Sequence, residues 1–296
     1  MSLKKPALRL QGLSKFYGVH RGIEQVSLQV NEGEVFGFIG PNGAGKSTTI
    51  RTLLGLLKPS KGTVELWGSQ VSEKDARWRR HIGYLPSEVH YYSEMTAREL
   101  LHYHCDLMEV SEADAQIATL ADYFELDLDR PIADLSFGNK KKCAIVQALV
   151  HEPKLLLLDE PTSGLDPLMQ NKFFDLLEQR NAAGATIFFS SHILSEVQRM
   201  CHRAAIIRDG RIVAVESIDK LLAKQMKQVK LVLSPYSAIE LPEGAQNAHW
   251  SGQKVTFDYL GSISHLVAWL AQQPLQDVTL TEPDLEYIFM NYYRRS

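Results

Sequence analysis

The sequence contains few cysteines, and their placement excludes two kinds of covalent or metal support. Only Cys105, Cys143 and Cys201 occur among the 296 residues, far apart and odd in number. Such spacing suits neither a disulfide framework nor a zinc site. It is typical of reduced, buried thiols in a cytosolic protein.

Long apolar runs are also missing. The strongest, at 155–158, is far shorter than the ~20 residues that a membrane-spanning helix needs. Two lysines precede Pro6, but no apolar run follows them, so we expect no signal peptide. Any role at a membrane is therefore expected to act through a partner.

Neither sign of charge dominates. The formal net charge is −3 and the isoelectric point is about 6.4, which gives no general attraction to phosphate backbones, so we expect no nucleic-acid partner. Hydrophobic residues make up 45% of the chain and charged residues 23%, the balance of a globular protein with a sizeable core. The length allows one large α/β domain and a smaller one.

Predicted strands and helices alternate along most of the chain. Continuous apolar runs, typical of strands buried on both faces of a parallel sheet, are separated by predicted helices. This rhythm predicts a doubly wound α/β core after a β-rich start. Strands are predicted at 8–13, 26–30, 35–39, 63–67, 82–85, 155–158, 186–189 and 204–207, and helices at 96–108, 111–124, 168–180 and 193–200. Ser111 and Asp114 are expected to form a capping box for the second helix.

A second domain is indicated by a change in composition. After about Ser217 the sequence shifts toward short strands, polar turns and amphipathic helices. We therefore predict a large domain at 1–216 and a small accessory domain at 217–296. The last helix is predicted to begin at Pro283 and to pack on the sheet of the small domain.

A glycine-rich segment at 40–48 follows an apolar strand and precedes a helical run, which is the pattern and context of a phosphate-binding P-loop. Its glycines let backbone N–H groups close around phosphates, and the helix N-terminus adds positive potential. Lys46 is expected to reach the β and γ phosphates of ATP, and Ser47 to bind Mg²⁺. The predicted nucleotide-binding residues here are Asn42, Gly43, Gly45, Lys46, Ser47 and Thr48.

Two carboxylates, Asp159 and Glu160, follow the apolar run at 155–158. Phosphoryl transfer needs a metal ligand and a group that orients water. Asp159 is therefore predicted to hold Mg²⁺ through water and Glu160 to polarise the attacking water, assistance that is typically worth ~10²–10⁴ in rate.

The segment at 135–139, Leu-Ser-Phe-Gly-Asn, resembles the signature loop of the ATP-binding cassette (ABC) family, which reads LSGGQ in relatives. It precedes a predicted helix at 140–150, so Ser136, Gly138 and nearby backbone N–H groups are expected to bind a γ-phosphate. Phe137 and Asn139 depart from the family pattern.

Three further segments resemble ABC motifs. Residues 163–166, Ser-Gly-Leu-Asp, resemble the D-loop, which crosses to the other subunit in relatives. His192 resembles the switch histidine, which senses the γ-phosphate. Tyr17 matches the aromatic residue that stacks on adenine, a contact worth roughly 1–3 kcal/mol.

This resemblance, over about 8–215, implies an α/β P-loop NTPase (RecA-like) core with an N-terminal β-subdomain and an α-helical signature subdomain at about 88–150, plus the small α+β C-terminal domain. It implies an ATPase that uses ATP and Mg²⁺, with Lys46, Glu160 and His192 as catalytic residues. Two ATP molecules are sandwiched between two chains in the family, so a homodimer or a pair with a paralogous subunit is expected.

The C-terminal extension resembles those of bacterial multidrug, antibiotic and sodium exporter ATPases. That likeness favours an exporter with a separate permease, which would hold the chain on the cytoplasmic side of the membrane. One alternative is a soluble ABC ATPase with a non-membrane partner; such relatives usually carry two cassettes or long coiled coils. Another is a regulatory cassette that only binds nucleotide, although Lys46, Asp159, Glu160 and His192 are all present.

The segment at 82–88 resembles the approach to the family's Q-loop, where relatives often have glutamine in place of Ser87. Ser87 through a water, or Glu88 directly, can substitute for that glutamine, or the loop can contact the permease without binding metal. We expect the last of these, with Tyr91 or Tyr92 taking part in coupling. The basic run at 140–142 is interpreted as a solvated helix face without a function of its own.

Overall fold

The computed structural model divides the chain into two units, Met1–Val215 and Glu216–Ser296. It describes residues 5–72, 75–91, 94–222, 226–235 and 237–281. The strands of the first unit are β1 Pro6–Tyr17, β2 His20–Asn31, β3 Val35–Ile39, β4 Lys61–Leu66, β5 Ser69–Gln70, β6 Ile82–Leu85, β7 Leu155–Asp159, β8 Thr186–Ser191, β9 Arg203–Arg208 and β10 Arg211–Ser217, the last of which crosses the division. Its helices are α1 Lys46–Leu53, α2 Ala97–Met108, α3 Ala113–Phe124, α4 Phe137–Leu149, α5 Pro167–Ala182 and α6 Leu194–Met200.

A six-stranded sheet with the order β10-β9-β3-β8-β7-β6 is the centre of the first unit. Strand β3 pairs in parallel with β8 and β9, and β7 pairs in parallel with β6 and β8. Every residue of β3, β7 and β8 is buried, which explains why these segments read as continuous apolar runs. The predicted α/β fold is confirmed.

The strand order brings the predicted motifs to one edge of the sheet. Strand β8 lies between β3 and β7, and the carboxyl ends of parallel strands point the same way. The P-loop follows β3, Glu160 follows β7, and His192 follows β8. Segments that are more than 100 residues apart in sequence therefore meet at three adjacent strand ends.

Two further layers complete this unit. Strands β2, β1, β4 and β5 form a second sheet, in that order, whose described pairings are antiparallel. Helices α2, α3 and α4 contact one another and form the helical part. The capping box predicted for Ser111 is wrong, because α3 begins at Ala113 after Glu112, whose φ is 58°. A capping box instead opens α2, where Thr96 and Glu99 cap each other.

The second unit has its own sheet and core. Its elements are α7 Ile218–Leu222, β11 Met226–Leu233, β12 Ala245–Ser251, β13 Lys254–Leu260, α8 Ile263–Leu270 and β14 Leu275–Thr281. The strand order is β12-β13-β11-β14, with antiparallel pairs, and Val229, Leu231, Phe257 and Leu266 are buried in one cluster. The helix predicted from Pro283 lies outside the described residues. The accessory role of 217–296 stays a prediction.

Within the described ranges of both units, no helix is at once long enough and apolar enough to cross a bilayer.

Candidate ATPase site

The P-loop curves into the first turn of α1. Gly43 and Gly45 have φ values of 80° and 109°, a region that residues with a Cβ rarely adopt. The Lys46 side chain is only 4% exposed, and its Nζ donates to the carbonyls of Gly40 at 2.8 Å and Pro41 at 3.1 Å. The loop therefore holds a buried cation beside a helix N-terminus, an arrangement suited to phosphate.

Glu160 is the centre of a charged cluster that joins three loops. Its Oε1 lies 3.1 Å from Lys46 Nζ and 3.3 Å from His192 Nδ1. Burial acts to raise the pKa of the Glu160 carboxyl, but the hydrogen bond and charge of Lys46, together with His192, outweigh it and lower the pKa below its usual value. Glu160 is therefore ionised at neutral pH, which is the protonation state that a general base requires.

Asp159 has an arrangement that suits a hydrated metal ion. Its side chain is fully buried, and Oδ1 accepts a hydrogen bond from the Ser190 hydroxyl at 2.7 Å. Oδ2 is buried without a hydrogen-bond partner among the described residues. Because such an oxygen is costly to leave unsatisfied, a metal-bound water fits it. With the hydroxyl of Ser47 on the first turn of α1, the oxygen donors suit Mg²⁺.

A buried glutamate that the sequence analysis missed supports the segment before His192. Glu196 on α6 accepts hydrogen bonds from the hydroxyls of Thr162 and Ser191. It therefore ties the segment after Glu160 to the end of β8. The signal in the sequence was the helical spacing that puts Glu196 on the same buried face as Met200.

The signature segment stands apart from this cluster. The Ser136 side chain is the N-cap of α4 and accepts from the Asn139 N–H at 3.3 Å. In the described part of the chain, no hydrogen bond or ion pair joins Ser136 or Gly138 to Lys46, Glu160 or His192.

Phe137, which departs from the family pattern, covers the D-loop segment. Its side chain is 57% exposed. A Cβ placed on Gly164 would lie 2.1 Å from the Phe137 ring, and Gly164 has a φ of 82°. The aromatic ring therefore packs on a turn that only glycine leaves open.

Tyr17 presents an exposed ring beside α1. A Cβ placed on Gly22 would lie 2.8 Å from the Tyr17 ring and 3.1 Å from the Thr48 methyl group, so the ring and the first turn of α1 meet over this glycine. The Lys15 ammonium lies 5.4 Å from the ring centroid. The 46% exposure of Tyr17 leaves a face available for stacking on a base.

The loop after β6 carries Glu88, one of the two residues considered as a substitute for the family's glutamine. Glu88 is largely exposed and pairs with His90 at 3.7 Å, so its carboxylate has a partner at the surface.

The interpretation of 140–142 as a solvated face is wrong for Lys141, which is fully buried. Ala144 and Ile145, three and four residues later, are also buried, and this helical spacing was the signal that placed Lys141 on the inner face.

The fold and the cluster define a P-loop ATPase: a parallel sheet whose strand ends bring a loop lysine, a buried aspartate and an ionised glutamate together. The sequence matches the ABC transporter family at residues 23–163. It is 31% identical over 296 residues, 96% of each chain, to the bacitracin transport ATP-binding protein BcrA of Bacillus licheniformis. It is 32% identical over 228 residues to the Nod factor export ATP-binding protein I of Paraburkholderia xenovorans (strain LB400), covering 76% of this chain and 75% of the relative.

A solved structure resembles most of the chain. It is a dimeric, post-hydrolysis ATP-binding cassette bound to ADP and Pi, with a TM-score of 0.66, 25% identity and coverage of 71% of this chain and 98% of the cassette. The chain belongs to the ABC transporter family. It is an ATP-binding subunit with ATPase activity.

Proposed function

We propose that the chain powers an ABC exporter as one of two ATPase subunits, held on the cytoplasmic side of the membrane by a separate permease. The names of two relatives, one a bacitracin transport protein and the other a Nod factor export protein, support a role in transport and favour export. Among the described residues, no hydrogen bond or ion pair joins Ser136 to the Lys46 cluster, which supports a second subunit, a copy or a paralogue, whose signature segment completes each ATP site.

In the proposed reaction, Lys46 binds the β and γ phosphates and the P-loop amides neutralise their charge. Asp159 and Ser47 would hold Mg²⁺, which stabilises the charge on the transferring phosphoryl group. Glu160 accepts the proton of the attacking water, and its position against Lys46 keeps it ionised for that task. His192, whose Nδ1 lies 3.3 Å from Glu160, is proposed to sense the γ-phosphate beside it.

The observation that carries the permease proposal is an apolar groove of about 410 Å³ beside the loop after β6. Leu56, Tyr103 and Leu107 line it and are each more than half exposed. Exposed apolar side chains that cluster at a groove mark a binding surface. Tyr91 also lines the groove and its hydroxyl donates to Gln147 at 3.3 Å, whereas Tyr92 lies outside the described residues.

The proposal is tested by placing a charge in the groove. Tagged wild-type chain should co-purify from detergent-solubilised membranes with a polytopic permease, and Leu107→Glu should lose it while basal ATPase activity stays unchanged. Val213→Glu, at an exposed apolar residue on β10, is the matched control and should keep the permease. Equal retention by Leu107→Glu contradicts docking in the groove, and a partner without spanning segments would favour the soluble alternative.

A further inference from the structure

Lys141 on α4 makes a complete set of hydrogen bonds to main-chain carbonyls. Its Nζ lies 3.0 Å from the Pro86 oxygen, 3.4 Å from the Ser87 oxygen and 3.3 Å from the Glu160 oxygen. An ammonium group has three N–H donors and no acceptor, so these three carbonyls match its capacity. One buried side chain therefore joins the loop after β6, the signature helix and the strand end that carries Glu160.

Holding these segments together with a buried lysine costs free energy, because the charged group loses its hydration. Burial lowers the pKa of Lys141 from 10.5 to about 8, although the charges of Asp159 and Glu160 act in the opposite direction. A well-packed apolar side chain of similar volume often stabilises a buried position better than a charge does. The charge next to the site is thus a candidate for a role in the reaction, because packing alone does not account for it.

The bond to Glu160 acts on the backbone that aims the catalytic carboxylate. Glu160 has a φ of 47°, an uncommon conformation for a residue with a Cβ. Its N–H donates to the Ser190 oxygen at 3.1 Å, while its carbonyl accepts from Lys141. With the peptide groups on both sides held, the carboxylate is held against Lys46 and His192.

We propose that Lys141 is a positioning residue that couples the loop at 86–87 to Glu160. Its ammonium keeps the Glu160 carboxylate aligned for the attacking water only while the loop carbonyls are also bound. Because Pro86 of this loop also lines the groove, a partner docked there acts on the same tether. The inference rests on Glu160 as the base of the proposed function, and it needs no partner to be tested.

The test is a double-mutant cycle on the full chain with ATP turnover as the readout. Lys141→Met, which removes all donors, should lower kcat at least ~10-fold, since small misplacement of a reacting group can cost ~10²-fold. KM for ATP should change little because the P-loop is intact. Lys141→Gln, which restores two N–H donors, should recover part of the loss. In the Glu160→Gln background, Lys141→Met should cause no further loss.

The outcomes separate this inference from the proposed function. If Lys141→Met keeps the wild-type kcat, or if its effect adds in full to that of Glu160→Gln, Lys141 does not act through Glu160. If Glu160→Gln alone keeps normal turnover, the assignment of the base fails instead. Should the methionine variant not fold, Lys141→Leu, which also removes every donor, replaces it in the same cycle, and the same results support or overturn the inference.

Discussion

The desolvation of Lys141 leads to a quantitative prediction about how the free energy of unfolding changes with pH. The folded-state pKa is about 8 and the ordinary value is 10.5, so the unfolded chain binds the proton more tightly. The resulting destabilisation is full below about pH 8 and fades as the pH rises toward 10.5. It is on the order of 3 kcal/mol at pH 7 and on the order of 1 kcal/mol at pH 9.5.

Replacing Lys141 with methionine removes this titration. The difference in unfolding free energy between wild type and Lys141→Met should therefore shift by about 2 kcal/mol in favour of the wild type between pH 7 and pH 9.5. The hydrogen bonds lost in the variant add an offset, so the change with pH is the quantity to measure. Lys140→Met controls for the loss of one lysine from the same helix.

The three cysteines allow the unfolding of the first unit, which contains Lys141, to be measured on its own. Cys105, Cys143 and Cys201 are all buried and all lie in Met1–Val215. A brief thiol-labelling pulse across a urea series reports the unfolding of this unit without interference from the second one. If the difference in unfolding free energy between wild type and Lys141→Met stays constant with pH, the claim that Lys141 is desolvated and charged in the folded protein is refuted.

Three other predictions concern the site. Glu160→Gln should bind ATP, lose ~10²–10⁴ in turnover and form an ATP-dependent dimer in size-exclusion chromatography with Mg²⁺; unchanged hydrolysis or a persistent monomer would remove Glu160 from the role of base. Ser87→Ala should keep basal turnover near wild type, and a large loss that excess Mg²⁺ rescues would make Ser87 a metal ligand. Gly164→Ala should lower turnover by displacing Phe137, whereas Gly184→Ala, also at a positive φ but in open space, should affect thermal stability alone; equal effects on turnover would contradict the contact.

The central sheet could be predicted from sequence because its strands are buried on both faces. The run at 155–158 has no polar interruption, and it forms β7 with two parallel neighbours. The end of that strand could be predicted as well, since Asp159 and Glu160 are carboxylates at the limit of an apolar run. The strand order, which puts β8 between β3 and β7, could not be predicted from sequence because it depends on long-range packing.

Lys141 and Glu196 show why part of the site escaped prediction. A run of lysines normally covers a solvated surface, and only its phase on α4 turns Lys141 inward. Glu196 depends on hydroxyl groups from two other segments, Thr162 and Ser191, which meet only in the folded chain. Lysine and glutamate are usually exposed, so residue type alone predicts a surface position for both, whereas their contacts in the folded chain bury them.

The central claim is that each ATP site combines Lys46 of one chain with Ser136 of the other, and mixing two inactive variants tests it directly. Lys46→Ala and Ser136→Arg should each abolish ATP hydrolysis, while the Ser136→Arg monomer still binds ATP. An equimolar mixture should regain activity, because each mixed dimer has one intact site, about a quarter of all sites. Ser136→Arg mixed with a chain that carries both substitutions is the control and should stay inactive. A mixture no more active than its separate components would contradict a site shared between two copies of this chain, and loss of ATP binding by the Ser136→Arg monomer would contradict the shared site altogether.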